Sequence, residues 1–149
     1  MNFTPDMLTL VLNGTKTQTR RLADRFEDYN RLTQLNGKLS VVQRRWLGLA
    51  ITASAAGYGD VYDDFSEWRL KWQVGRTYTV APGRGKAGVA RMRLLDIRKE
   101  PAIDISEEDA RAEGFDSREA FWDKLRSLYG ADVDLTEPYY ALTFELVTP

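Results

Sequence analysis

The stretch GTKTQTRR, Gly14 to Arg21, follows a short apolar segment, MLTLVLN. Thr4 and Pro5 stand ahead of that segment as an N-cap and a first helical residue, and Asn13-Gly14 supplies a stop able to take positive φ. The spacing therefore predicts a helix with Met7, Leu8, Val11 and Leu12 on one apolar stripe. Beyond it the threonines tolerate an extended backbone, so GTKTQTRR reads as the start of a strand. Two uses fit it. Lys16 and a threonine hydroxyl can form a base and nucleophile, with desolvation bringing the lysine toward neutrality, or the stretch is a polar strand facing water. Spacing alone favours the water-facing strand. A regular strand would also set Lys16 and Thr19 on opposite faces, so a shared site needs a bulge or a turn after Gly14.

The chain around this stretch has 149 residues, enough for one hydrophobic core and short for two. It has no cysteine and no histidine, which excludes disulfides, thiolate zinc sites, cysteine nucleophiles and the commonest general base. Any catalysis falls to Lys, Thr, Ser, Tyr, Asp or Glu. The first residues lack a basic leader and no segment approaches the length of a membrane-spanning helix, so a soluble, cytoplasmic protein without a membrane partner is expected. The net charge of -1 hides an uneven distribution. Residues 1–45 hold eight Lys or Arg against four acids, residues 76–99 seven against one, and residues 100–149 four against thirteen. If the basic segments meet in space, they focus a positive potential suited to a phosphate-bearing or polyanionic ligand; otherwise the surface is mixed and solvated.

Residues 22–71 are expected to be an insertion in a single domain spanning 1–149, with helical spacing at Val42, Trp46, Leu49 and Ala53 and a loop over AAGYGDVYDD. Tyr78–Val80, PGRGKAG and Val89–Ile97 read as a β-hairpin with a long tip. Ser106 with Asp109 resembles a capping box opening a helix that Gly114 ends, and Asp116 with Glu119 repeats the device before a second helix bearing Phe121, Trp122, Leu125, Leu128 and Tyr129. YYALTFELV alternates as a last strand, with Tyr140, Leu142, Phe144 and Leu146 on one side. The expected class is α+β, around a small mixed or antiparallel sheet that can close as a barrel.

Three further features bear on chemistry. GRGKAG matches G-x-G-x-x-G, but a strand follows it where a dinucleotide site needs a helix, so it is read as a glycine-rich hairpin tip. Arg84 and Lys86 on that tip remain able to touch a phosphate backbone. In ISEEDARAEGF most acids complement a helix N-terminus, whereas Glu113 sits at the C-terminal end, where the dipole disfavours it. Trp46, Trp68, Trp72 and Trp122 can stack on bases, although core packing is the commoner use.

The opening helix followed by GTKTQTRR resembles the G-x-K-x-x-T-x-R signature of the ASCH domain, a PUA-like β-barrel fold. WQVGRTYTV, the basic hairpin, ISEEDARAEGF and YYALTFELV follow in that family's order. The resemblance covers residues 1–21 and about 72–147, with 22–71 longer than in compact members. Some bacterial members are N4-acetylcytidine amidohydrolases using a lysine, a threonine and a glutamate. Residue by residue, the resemblance implies Lys16, Thr19 and Glu113 as the catalytic set and Arg21 as the signature arginine; Arg21 and its neighbour Arg20 are the expected substrate-binding residues. It implies no metal and no cofactor, and a modified nucleoside as partner. In such a scheme Lys16 must be largely neutral, and Glu113 nearby works against that. Other members are described as RNA binders or ribonucleases. The alternative is therefore an RNA-binding or RNA-cleaving module in which Arg84, Lys86, Arg91 and Arg93 track phosphates.

Overall fold

The computed structural model describes residues 1–23, 30–53 and 60–147, and over 45–53 and 60–67 it describes the backbone. Helix α1, Pro5–Leu12, has Thr4 in extended conformation as N-cap and proline in its first turn. Gly14 takes φ +84° just past its end. The chain then stays out of regular strand for three residues, because the Lys16 N–H donates to Leu10 O (2.9 Å) and the Thr17 N–H to Ala112 O (2.8 Å). Strand β1 begins only at Gln18 and runs Gln18–Leu22. The turn needed for Lys16 and Thr19 to share a face is thus present.

Strands β2 (Asn30–Leu35), β3 (Lys38–Ala53) and β4 (Asp60–Gln73) form an antiparallel sheet in the order β2-β3-β4. The helical spacing expected over Val42–Ala53 is therefore a strand, and of AAGYGDVYDD the part from Asp60 to Asp64 is strand as well, while residues 55–59 lie outside the described residues. Paired with neighbours on both sides, β3 meets its backbone hydrogen-bonding needs across the sheet, which overrides any local helical preference.

Strand β5 (Thr77–Val80) and strand β6 (Ala90–Pro101) form the expected hairpin around the glycine-rich tip, where Gly85 has φ +74°. With β1 and the final strand β7 (Pro138–Leu146) they make a second antiparallel sheet, ordered β1-β7-β6-β5. The architecture is α+β, as expected, and its two sheets do not close into a barrel among the described residues. Within each sheet every pairing is antiparallel.

Strand β7 is buried on both faces. Tyr140, Leu142 and Phe144 join Phe3, Val11, Val41, Met92 and Leu94 in one core. Tyr139 faces the other way, onto Ala102, Ile105, Ala110, Phe121 and Leu125. That second core is roofed by helices α2 (Glu107–Ala112) and α3 (Arg118–Tyr129). Ser106 caps α2 through Asp109 N as expected, but α3 is capped by Ser117 through Ala120 N and not by Asp116. The serine hydroxyl one residue on has the geometry that the first free N–H groups require. No helix among the described residues is long and apolar enough to cross a membrane.

Candidate active site

Between α1, β1, the end of α2 and α3 lies a cleft of about 290 Å³. Lys16, Thr19, Arg20, Arg21 and Glu113 all line it, with Phe3, Phe115, Phe121, Tyr129 and Tyr139 as aromatic walls and Lys124 at one side. The candidate set from the sequence is therefore brought together from positions about a hundred residues apart, whereas Arg84, Lys86, Arg91 and Arg93 are not part of this lining. Arg84 and Lys86 are exposed at the hairpin tip. Arg91 donates to Thr77 Oγ1 (2.6 Å) and Arg93 to Glu145 Oε1 (3.1 Å) on the outer sheet surface. None of Trp68, Trp72 and Trp122 lines the cleft either, and the Trp46 side chain lies outside the described residues.

Lys16 and Glu113 are 4% and 3% exposed. Lys16 Nζ donates to Glu113 Oε2 (2.6 Å) and also to the Glu113 main-chain carbonyl (2.8 Å). Glu113 is the C-cap of α2, and the lysine supplies the positive group that this helix end favours. The carboxylate that the dipole opposes is thus held by a cation that the dipole attracts. Gly114, at φ +95°, ends the helix directly behind it.

Burial works against both charges. Desolvation lowers the Lys16 ammonium from its ordinary range, more than the charge and hydrogen bond of Glu113 raise it, and Arg21 lowers it further. Desolvation likewise raises the Glu113 carboxyl against the attraction of Lys16, Arg20 and Arg21. Both shifts move the pair toward a neutral amine beside a neutral acid, which carries the same single proton as the ion pair. One oxygen of the pair, Glu113 Oε1, is buried without a hydrogen-bond partner. Thr19, on β1 opposite Leu142, is 5% exposed.

The two arginines differ. Arg21 Nη2 donates to Asn2 O (2.9 Å), its guanidinium lies over the Phe3 ring, and its Nε is buried without a partner. Arg20 turns its Nη2 to Glu100, with Asp109 Oδ2 and Gln18 Oε1 each at 3.4 Å, and leaves Nε and Nη1 without hydrogen-bond partners. Sequence reasoning missed this outer ring: Asp109 had a sufficient explanation as a helix N-terminal acid, and Glu100 carried no local signal. The aromatic walls were missed too, except that Tyr139 alternates out of the face assigned to Tyr140.

No family model and no curated protein matches the sequence. Among solved structures, an ASCH domain from Lactobacillus crispatus JV V101 is similar with a TM-score of 0.56 at 16% identity, covering 95% of this chain and 70% of that one. A protein from Enterococcus faecalis V583 of the family DUF984 is similar with a TM-score of 0.52 at 17% identity and the same coverages. The chain has the α+β fold of the ASCH domain.

Proposed function

We propose that this protein is a metal-independent amidohydrolase that removes the acyl group from an N4-acylated cytosine nucleoside such as N4-acetylcytidine. The observation that carries the reading is the buried Lys16–Glu113 pair, one carboxylate oxygen without a hydrogen-bond partner, lining an aromatic cleft together with Thr19. At about 290 Å³ the cleft is at the small end of ligand-pocket sizes, which suits a nucleoside better than a polymer.

In this scheme the pair enters as neutral Lys16 beside protonated Glu113. Thr19 Oγ attacks the acyl carbon while Lys16 Nζ takes its proton. The C–N bond breaks as Glu113 protonates the departing exocyclic nitrogen, which leaves a threonine ester and the Lys16–Glu113 ion pair. Water then attacks the ester: Glu113 takes a proton from the water and Lys16 returns one to Thr19 Oγ, restoring the neutral pair. In the scheme Arg21 stabilises the oxyanion through its Nε, which has no hydrogen-bond partner, while Arg20 borders the substrate without losing its carboxylate partners. The nucleic-acid alternative draws less support, since Arg91 and Arg93 are occupied on the sheet surface away from the cleft.

Purified protein is expected to hydrolyse N4-acetylcytidine, followed in the ultraviolet, with Lys16→Ala and Glu113→Ala each losing at least about a hundredfold in rate. A parent without turnover, or either variant keeping near-parental rates while folded, overturns the proposal.

A further inference from the structure

Around the candidate site lies a ring of charge that the hydrolytic scheme does not use. The Arg20 side chain is 1% exposed and is shared between Glu100 and Asp109, with Asp109 Oδ2 at 3.4 Å from Nη2. Its Nε lies 3.8 Å from Glu113 Oε1, and each of those two atoms is buried without a hydrogen-bond partner. Guanidinium and carboxylate normally close such a gap into a bidentate pair, because an orphaned buried polar atom is costly. Here the outer carboxylates draw the guanidinium away. A closed Arg20–Glu113 pair would fix Glu113 as a carboxylate and take from it the capacity to gain a proton.

We infer that Glu100 and Asp109 are positioning residues of this site. Acting through Arg20, they hold its guanidinium back from Glu113 Oε1 and so set the pH range over which the Lys16–Glu113 pair keeps its single proton. The catalytic meaning of this rests on the function proposed above; the electrostatic content does not. Glu113 is flanked by Lys16 from the turn before β1 and by Arg20 and Arg21 from β1, and it shares the cleft lining with Lys124 and Tyr129 of α3. Behind Arg20, Arg98 of β6 donates to Asp109 Oδ2 (2.6 Å) and lies 3.7 Å from Glu100 Oε2, competing with Arg20 for both acids.

The arrangement gives two opposite signs. Neutralising Glu100 or Asp109 removes negative charge and frees Arg20 toward Glu113, so the pair loses protons more readily. Removing Arg98 leaves Arg20 as the cation on both acids, with Gln18 still donating to Asp109, and withdraws a positive charge, so the pair holds protons more tightly. A general loosening of the site has no reason to produce opposite shifts.

The test is carbon-13 NMR titration of protein labelled at the glutamate carboxyl, with the Glu113 signal assigned by its loss in Glu113→Gln. Glu100 and Asp109 are 22% and 20% exposed in their side chains and Arg98 44%, so Glu100→Gln, Asp109→Asn and Arg98→Gln are tolerable to the fold. The Glu113 transition is expected to move down by about 0.5–1 pH unit in Glu100→Gln and in Asp109→Asn, further in the double variant, and up in Arg98→Gln. An unmoved transition in the double variant, or shifts of one sign in all variants, overturns the inference. The pH–rate profile on N4-acetylcytidine, taken on the same samples, should shift both limbs with the same signs. A parent without turnover sinks the proposed function while the titration still decides this inference.

Discussion

At Lys16 and Glu113 the protein keeps two ionisable side chains where solvation of neither charge is available. Such a pair is a poor source of stability, since desolvation offsets most of the attraction, yet breaking it leaves a lone buried charge. Glu113→Leu alone is therefore expected to lose about 3–5 kcal/mol in urea denaturation at neutral pH, while Lys16→Met with Glu113→Leu should equal or exceed the parent, by up to about 4 kcal/mol. A double variant weaker than the single one would contradict this. The pH dependence has a definite sign. Glu113, raised on folding, contributes stability below the ordinary carboxylate value and loses it as pH rises through its folded value. Lys16, lowered on folding, contributes above the ordinary lysine value and loses it as pH falls through its folded value. Measured against the double variant, the parent should be weakest between those two folded values and recover on either side. Spacing alone favoured a water-facing strand at Lys16, and it was the resemblance that set this lysine beside Glu113. Glu113 stood out against the helix dipole, and only the turn at Thr15–Thr17 was needed to reconcile the spacing of Lys16 and Thr19.

The elements that deliver those residues are short, so their ends matter more than their middles. Helix α2 has six residues, with the Ser106 cap at one end and Glu113 and Gly114 at the other. Ser106→Ala should cost about 1 kcal/mol of stability, read by thermal melting, and leave the proposed hydrolysis rate of the folded protein alone. Gly114→Ala should cost roughly 1–2 kcal/mol from its φ of +95°. Its added Cβ would also meet Leu10 Cδ1 at 2.8 Å, the tip of a side chain that must turn aside, and the backbone strain falls on the residue next to Glu113, so here the rate should fall as well. Equal effects of the two variants on rate would count against this helix end as what holds Glu113 in place. The elements also show where sequence reading stopped. Asn36 and Gly37, both at positive φ, make the two-residue turn between β2 and β3, and Asn-Gly is among the strongest local hairpin signals. That signal was present and went unused. In β3 the obstacle was physical: the register shift between Trp46 and Gly48 adds one residue to this strand, and that interruption sets a gap of three, Trp46 to Leu49, between gaps of four, a spacing that imitates a helix.

At the scale of the molecule, folding sets basic residues of the first and middle segments against the acidic last third. Among the described residues the pairs are Lys16 with Glu113, Arg20 with Glu100, Arg93 with Glu145 and Arg98 with Asp109. The sequence could show the segregation but not the pairing, because the partners lie on elements joined only by sheet topology. Arg84 and Lys86 stay exposed at the β5–β6 tip, away from the cleft. A nucleoside substrate carries no phosphate, so its turnover should not depend on those two cations or on ionic strength, whereas a polymer held by phosphate contacts releases counterions and weakens steeply with salt. Arg84→Glu with Lys86→Glu should accordingly leave kcat/KM for N4-acetylcytidine within about twofold of the parent, as befits a surface change remote from the site. The rates of both proteins should stay level between low and high salt. The same pair of substitutions, assayed against acetylated single-stranded RNA, separates the alternatives at this scale. A rate on RNA that exceeds the nucleoside rate, falls with salt and is lost in the double variant would mean that the hairpin tip guides a polymer into the cleft, and the free nucleoside would then be a fragment of the true substrate.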